Sequence, residues 1–92
     1  MRKIVRFELL VVNRRRDGVP HADIYVKTPG HMGIGTQVLG GETDERGCVT
    51  LESDVDISKI LEVNAVRDFE QIGSNSSGMH IKNGEIYTVT IS

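Results

Sequence analysis

Hydrophobic and polar residues alternate with a period of two along most of the chain. Val5, Phe7, Leu9 and Val11 fall on one face of a predicted strand over 4–12, because side chains at positions i and i+2 of a strand point to the same side. The same alternation predicts further strands over 21–27, 36–43, 48–53, 59–67, 69–72, 79–82 and 85–92. No segment of ten or more residues has a helical period, so helices are expected to be minor.

Turn-forming residues separate these segments at intervals of about 8–12 residues, which is typical of a β-sandwich. Asp-Gly and a proline interrupt the pattern within 13–20, and 44–47 reads Asp-Glu-Arg-Gly, a favoured tight turn. The segments 28–35 and 73–78 have no period and are predicted loops. Asn83-Gly84 predicts a type I′ hairpin between the last two strands, because both central positions of that turn need positive φ.

The inward faces of these strands define the expected core. With 92 residues, 10.2 kDa and 38% hydrophobic residues, the chain suits one domain over 1–92 with one modest core. The predicted core residues are Val5, Phe7, Leu9, Val11, Ala22, Ile24, Val26, Val49, Leu51, Leu61, Val63, Ala65, Phe69, Tyr87, Val89 and Ile91.

Charge is distributed unevenly. Residues 1–16 hold six of the 11 Lys and Arg but only one of the 13 Asp and Glu. A net charge of −2 and few aromatic residues argue against nucleic-acid partners, which need a broad basic surface with stacking rings. Residues 1–16 also lack a sufficiently long apolar run for a signal peptide, and no apolar run would span a membrane. A cytoplasmic location is therefore expected, unless the chain is exported as cargo.

Four segments follow one another in a distinctive order. Gly18–Val26 reads GVPHADIYV, Thr43–Leu51 reads TDERGCVTL, Ile60–Glu70 reads ILEVNAVRDFE, and Glu85–Ile91 reads EIYTVTI. Together they resemble the pattern of transthyretin-like, carboxypeptidase-regulatory-like domains across almost the whole chain. That resemblance implies a seven- to eight-stranded, prealbumin-like Greek-key β-sandwich. It also implies a generally non-catalytic domain that assists folding, acts as a spacer or binds proteins.

Some transthyretin-like proteins are 5-hydroxyisourate hydrolases, so an enzymatic alternative stays open. This chain ends Thr90-Ile91-Ser92 and lacks the carboxy-terminal Tyr-Arg-Gly-Ser motif of those enzymes. His21, His31 and His80 are spaced like no short metal or catalytic motif. The alternative is therefore a small hydrolase whose histidines meet at an oligomer interface.

Other chemistry-bearing residues have simpler explanations. Cys48 follows a turn glycine and is expected to be an ordinary, half-exposed thiol. Asp54 and Asp56 carry oxygen ligands suited to calcium, but Lys59 occupies the position where an EF-hand needs glycine. The glycines of 30–35 precede no helix, so they do not form a phosphate loop. No catalytic residue, metal site or cofactor is predicted.

Two loops are the best candidates for protein contact. Met32 and Ile34 lie in a glycine-rich loop with no evident core to enter, beside His31. The second candidate is the basic turn Arg14–Arg16 (Arg14, Arg15 and Arg16), at the end of the first strand. The sequence thus favours a non-catalytic protein-interaction or structural module that displays loops from a rigid sandwich. A protein partner is expected, and edge strands offer a route to homo-oligomers.

Overall fold

This computed structural model describes residues 4–92. These residues contain nine strands and one three-residue 3-10 helix, His31–Gly33. In chain order the strands are β1 (Val5–Val12), β2 (Asp23–Pro29), β3 (Thr36–Glu42), β4 (Cys48–Ser53), β5 (Lys59–Ile60), β6 (Glu62–Arg67), β7 (Glu70–Asn75), β8 (Met79–His80) and β9 (Ile86–Thr90). Within these residues, no helix is long or apolar enough to cross a membrane.

The strands form two facing sheets and a small ribbon, so the predicted all-β sandwich is confirmed. One sheet has the order β4-β1-β9, in which β1 and β9 run parallel, and the other has the order β3-β2-β6-β7 and is antiparallel. β5 and β8 pair separately. The inward faces of the two sheets bury the core, as their alternating pattern requires. The buried core cluster is Val5, Phe7, Leu9, Val11, Val19, Ala22, Ile24, Val26, Val49, Leu51, Ile57, Ile60, Val63, Ala65, Ile81, Val89 and Ile91.

Three of the predicted core positions were wrong or only partly right. Phe69 is fully exposed, because it lies in the turn between β6 and β7 and not in a strand. Ile60 is buried and Leu61 is only half-buried, because the chain passes from β5 to β6 at this point and the period of two breaks. Tyr87 is half-buried and packs against the edge of the core.

The predicted Asn83-Gly84 hairpin is also wrong. A turn does form, with a hydrogen bond from the Glu85 N–H to the Lys82 carbonyl, but only Gly84 has positive φ, whereas a type I′ turn needs two such residues. The strands on either side do not pair, since β8 joins β5 and β9 joins β1. The turn instead holds the start of β1: the Arg6 N–H donates to Asn83 Oδ1 at 2.8 Å and the Gly84 N–H donates to the Arg6 carbonyl at 2.7 Å.

Strand direction divides the connections between two ends of the sandwich. At one end, which we call the arginine end, lie the connections 13–22, 43–47 and 68–69. At the other, which we call the apolar-loop end, lie 30–35, 54–58 and 81–85. The molecule measures 39 × 23 × 21 Å, so the two ends are well separated.

Candidate interaction surfaces at the two ends of the sandwich

The basic turn at the arginine end is an ordered structure. Asn13 Oδ1 accepts hydrogen bonds from the N–H groups of Arg15 at 2.9 Å and Asp17 at 3.1 Å, and the Asn13 N–H donates to the Asp17 carbonyl at 2.9 Å. Arg16 has φ of 65°, in the left-handed region that few non-glycine residues adopt. The side chains of Arg14, Arg15 and Arg16 are all exposed. The turn therefore presents three guanidinium groups on a backbone held by a side-chain cap.

An exposed aromatic residue shares this end with the basic turn. Asp68 and Phe69 form a two-residue turn between β6 and β7 with φ of 52° and 65°, and Phe69 is fully exposed. The neighbouring Arg67 guanidinium donates a hydrogen bond to the Pro20 carbonyl, which ties this turn to the β1–β2 connection. A groove of about 230 Å³ lies between them, lined by Asn13, Gly18, Val19, Pro20, Arg67, Ile72 and Ile91.

The segment 43–47 has a structural role at this end. The buried Thr43 hydroxyl donates to the Val19 carbonyl at 2.7 Å and accepts from the Ala22 N–H at 2.9 Å. A Cβ at Gly18 would lie 2.0 Å from the Arg46 carbonyl oxygen, so only glycine fits there. These contacts pack the β1–β2 connection directly against the β3–β4 turn. They stabilise this end of the sandwich.

Asp44 caps the same turn with its carboxylate. Its Oδ1 accepts from the N–H of Arg46 at 2.8 Å and of Cys48 at 3.0 Å. The Cys48 and Arg46 N–H groups lower the pKa of the Asp44 carboxyl from its ordinary value of 3.8, since they stabilise the charged form. The predicted tight turn is confirmed by the hydrogen bond from the Gly47 N–H to the Asp44 carbonyl at 3.1 Å.

The apolar loop 30–35 presents large hydrophobic side chains to solvent. Met32 is 83% exposed and Ile34 is 79% exposed, and His31 is exposed beside them. Backbone hydrogen bonds hold the loop: Gly30 N–H to the Gly35 carbonyl at 3.0 Å and Ile34 N–H to the His31 carbonyl at 3.0 Å. Met32 has φ of 54°, again in the left-handed region. The loop is therefore a defined structure whose tip is apolar.

The two predicted contact sites do not form one surface. The basic turn precedes β2 and the apolar loop follows it, so the seven residues of β2 separate them by roughly 20 Å at about 3.3 Å per residue. Phe69 is the residue that the sequence pattern missed, because its hydrophobicity favoured a core position. The signal that could have located it is the preceding Asp68, a residue type common in tight turns.

The three histidines are also divided between the ends. His21, with φ of 51°, lies in the β1–β2 connection at the arginine end, whereas His31 and His80 lie toward the apolar-loop end. Among residues 4–92, no group of three His, Cys, Asp or Glu side chains is arranged to hold a metal ion. Cys48 is a half-buried free thiol. A site that used all three histidines would need residues from more than one chain.

Comparisons with known proteins support the fold class alone. Protein-family profiles give no match, and neither does a search of curated proteins. Among solved structures, the chain is similar to a 9R-lipoxygenase from Cyanothece PCC8801, with a TM-score of 0.56 and 13% identity over 95% of this chain. It is also similar to the Bacillus anthracis TIE protein, with a TM-score of 0.53 and 12% identity over 96% of this chain.

A third similar structure is a leucine-rich repeat protein from Bacteroides thetaiotaomicron VPI-5482, with a TM-score of 0.50 and 10% identity over 96% of this chain. The chain covers only 16%, 16% and 12% of these three proteins, respectively. The likeness is thus to one part of each larger chain. At such low identity it indicates a shared sandwich fold and carries no function with it.

Proposed function

We propose that this chain is a non-catalytic protein-binding module of the transthyretin-like, carboxypeptidase-regulatory-like type, with a Greek-key sandwich as its rigid scaffold. Its binding elements are the turn tips at the two ends: the basic turn with Phe69, and the apolar loop. A module of this kind works by holding a few side chains in fixed positions on ordered loops, which lowers the entropy lost on binding.

One observation carries the proposal: among residues 4–92, the three most exposed large hydrophobic side chains, Phe69, Met32 and Ile34, all lie at ordered turn tips. Two of them, Phe69 and Met32, also have positive φ. Exposed hydrophobic surface and left-handed backbone both reduce the stability of a free domain, and such features concentrate at functional sites. A partner that buries these side chains would account for both.

The basic turn Arg14–Arg16 strengthens the case for a protein partner at the arginine end. Arginine and aromatic residues are enriched in protein interfaces, where they supply most of the binding energy. Arg14, Arg15 and Arg16 lie at the same end of the sandwich as Phe69, which offers an apolar anchor there. The chemistry fits a partner with an acidic rim around an apolar pocket.

The hydrolase alternative has less support from the geometry. His21 lies at the opposite end from His31 and His80, so a three-histidine site requires an assembly of several chains. If the chain were such an enzyme, His21→Ala and His80→Ala would each abolish a hydrolytic activity. The binding-module proposal expects no such activity to depend on them.

The test compares partner capture by variants of the turn tips. Phe69→Gly removes the ring and creates Asp-Gly, the pair that type I′ turns favour. A second variant, Met32→Gly with Ile34→Ser, removes the apolar tip at the other end, and Val38→Thr is the matched control, because Val38 is an exposed apolar residue on a strand. Immobilised baits are incubated with lysate of the native cells, and captured proteins are quantified by mass spectrometry. We expect a stoichiometric protein that Val38→Thr retains and that one of the tip variants loses.

The free energy of unfolding of the Phe69→Gly variant shows, without any partner present, whether Phe69 serves the fold. Because Phe69 has positive φ and no packing contacts to lose, Phe69→Gly should raise the free energy of unfolding by up to about 1 kcal/mol. Urea denaturation measures this value. A loss of more than about 1 kcal/mol would mean that Phe69 serves the fold. Equal capture by every variant would reject the turn tips as binding elements.

A further inference from the structure

β9 is an edge strand, and its backbone groups alternate between its two edges. On the inner edge it runs parallel to β1: the Glu85 carbonyl accepts a hydrogen bond from β1 and the Ile91 N–H donates one to β1. In a strand the backbone groups of alternate residues point to opposite edges. The groups of Ile86, Thr88 and Thr90 therefore point to the outer edge of β9, away from β1.

The carboxy-terminal part of that outer edge is covered by β7. Asn75 Nδ2 donates to the Thr90 carbonyl at 2.8 Å. Beyond it, Ser74 and Ser92 exchange two backbone hydrogen bonds, of 3.3 and 3.1 Å. The two sheets of the sandwich are thus joined here by an antiparallel contact between the end of β7 and the residues that follow β9.

The amino-terminal part of the outer edge is left open, because the residues that follow β7 turn away from β9. The Ser77 N–H bonds to Asn75 Oδ1 at 2.9 Å, and Gly78 has φ of 75°, which turns the chain toward β5. β8 then pairs with β5 and not with β9. In the described chain, Ile86 and Thr88 have β1 as their only neighbouring strand.

A cavity of about 230 Å³ lies beside this open edge and leads to the core. Its apolar lining includes Ile60 and Val63 from the neighbouring strands, with Met79 and Val89. The polar lining residues are Asn75, Ser77, Thr88 and Thr90. An unpaired strand edge next to a cavity with an apolar side has the two features that strand addition uses: backbone hydrogen bonds for affinity and a pocket for an alternate side chain.

One charged residue, Lys59, lies close to the cavity, in a depression that adjoins it. This depression shares Ile60 and Met79 with the cavity and includes Lys59 and His80, which are exposed and lie opposite each other in the β5–β8 ribbon. None of the residues that line either cavity is Asp or Glu. Lys59 can therefore pair with a negatively charged group of a ligand that lies along the cavity side of the edge.

We infer that the outer edge of β9 at Ile86–Thr88 binds an extended, acidic segment of another protein by strand addition. The segment's backbone pairs with Ile86 and Thr88, one large apolar side chain enters the cavity, and a flanking carboxylate lies near Lys59. This site is distinct from the turn tips of the proposed function. Phe69→Gly should leave binding here unchanged, so the two proposals can fail separately.

The probe is a blocked heptapeptide, Glu-Thr-Val-Thr-Leu-Thr-Glu, added to the 15N-labelled chain. Binding is followed by amide chemical shifts and by hydrogen exchange at Ile86 and Thr88. We expect slower exchange at both amides, and at least tenfold weaker binding of a peptide with lysine in place of both glutamates. A peptide methylated on its backbone nitrogens along the pairing edge should not bind. Equal binding of the methylated peptide, or unchanged exchange at Ile86 and Thr88, would overturn the inference.

A variant pair tests the edge from the protein's side. Thr88→Pro removes one outward N–H, which an edge strand tolerates because that group does not bond to β1, and Thr88→Ala keeps the N–H. We expect Thr88→Pro to lose peptide binding and Thr88→Ala to retain it. If Thr88→Pro does not fold, the backbone-methylated peptide tests the same strand pairing with the wild-type chain. A wild-type dimer that protects the Ile86 and Thr88 amides without peptide would show that a second copy occupies the edge, and would also overturn the inference.

Discussion

Both ends of the sandwich expose large hydrophobic side chains, but different backbone contacts hold the loops that carry them. At the arginine end, the β1–β2 connection and the β3–β4 turn pack backbone against backbone, with the buried Thr43 hydroxyl bonded to both Val19 and Ala22. At the apolar-loop end, the loop 30–35 is held by hydrogen bonds between its own backbone groups. The β1–β2 connection therefore depends on contacts with a distant segment, whereas the loop 30–35 depends on its own local geometry.

Replacing one glycine at each end with alanine should give the largest difference in the free energy of unfolding between the two ends. At Gly18, a Cβ would overlap the Arg46 carbonyl oxygen at 2.0 Å, and relief requires the two connections to move apart. We expect Gly18→Ala to lower the free energy of unfolding by about 3 kcal/mol or more. At Gly33, φ is +75° and no atom lies within 4 Å, so Gly33→Ala should cost only about 1 kcal/mol.

Urea unfolding of the two glycine variants measures this comparison. A difference of about 2 kcal/mol corresponds to a shift in midpoint temperature of roughly 8–16 °C for a domain of this size. Equal losses at Gly18 and Gly33 would show that backbone contact between the connections does not distinguish the two ends.

A smaller difference is expected from the buried hydroxyls. Thr43→Val keeps the shape of the side chain but leaves the Val19 carbonyl and the Ala22 N–H without their partner, which should cost about 1–3 kcal/mol. At the other end, Ser53 Oγ bonds to Gln37 and to Val55, and Val55 is only half-buried. Ser53→Ala should therefore cost less, because water can replace part of what is lost. Thermal unfolding of both variants checks the order, and a larger loss for Ser53→Ala would contradict it.

The fold class could be predicted because its signals are local. Alternation placed Val5, Phe7, Leu9 and Val11 on the buried face of β1, where the structure has them. What could not be predicted was pairing between distant segments. Asn83-Gly84 is a strong hairpin signal, yet β9 pairs in parallel with β1, a strand more than 70 residues away in sequence that lies at the centre of that sheet.

The candidate sites were predictable only in part, for a related reason. Sequence places Met32 and Ile34 in an irregular loop, and their exposure follows from the absence of a strand period. Phe69 has the composition of a core residue, and only the two-residue turn between β6 and β7 exposes it. The open edge of β9 has no sequence signal, since it exists because β8 pairs with β5.

The smallest expected effect concerns acid sensitivity of the arginine end. The folded chain lowers the pKa of Asp44 below 3.8, so its carboxylate stabilises the turn above that pH, and this contribution is lost as the pH falls through the lowered pKa. Asp44→Asn keeps an acceptor oxygen but not the charge, so the wild type should be slightly more stable at pH 7, with the difference narrowing below pH 3.8. Hydrogen-exchange protection of the Cys48 amide should fall over the same range, whereas the Ile34 amide, whose acceptor is a backbone carbonyl, should not follow it. A stability difference that persists unchanged to pH 2 would mean that shape, and not charge, makes Asp44 the cap of this turn.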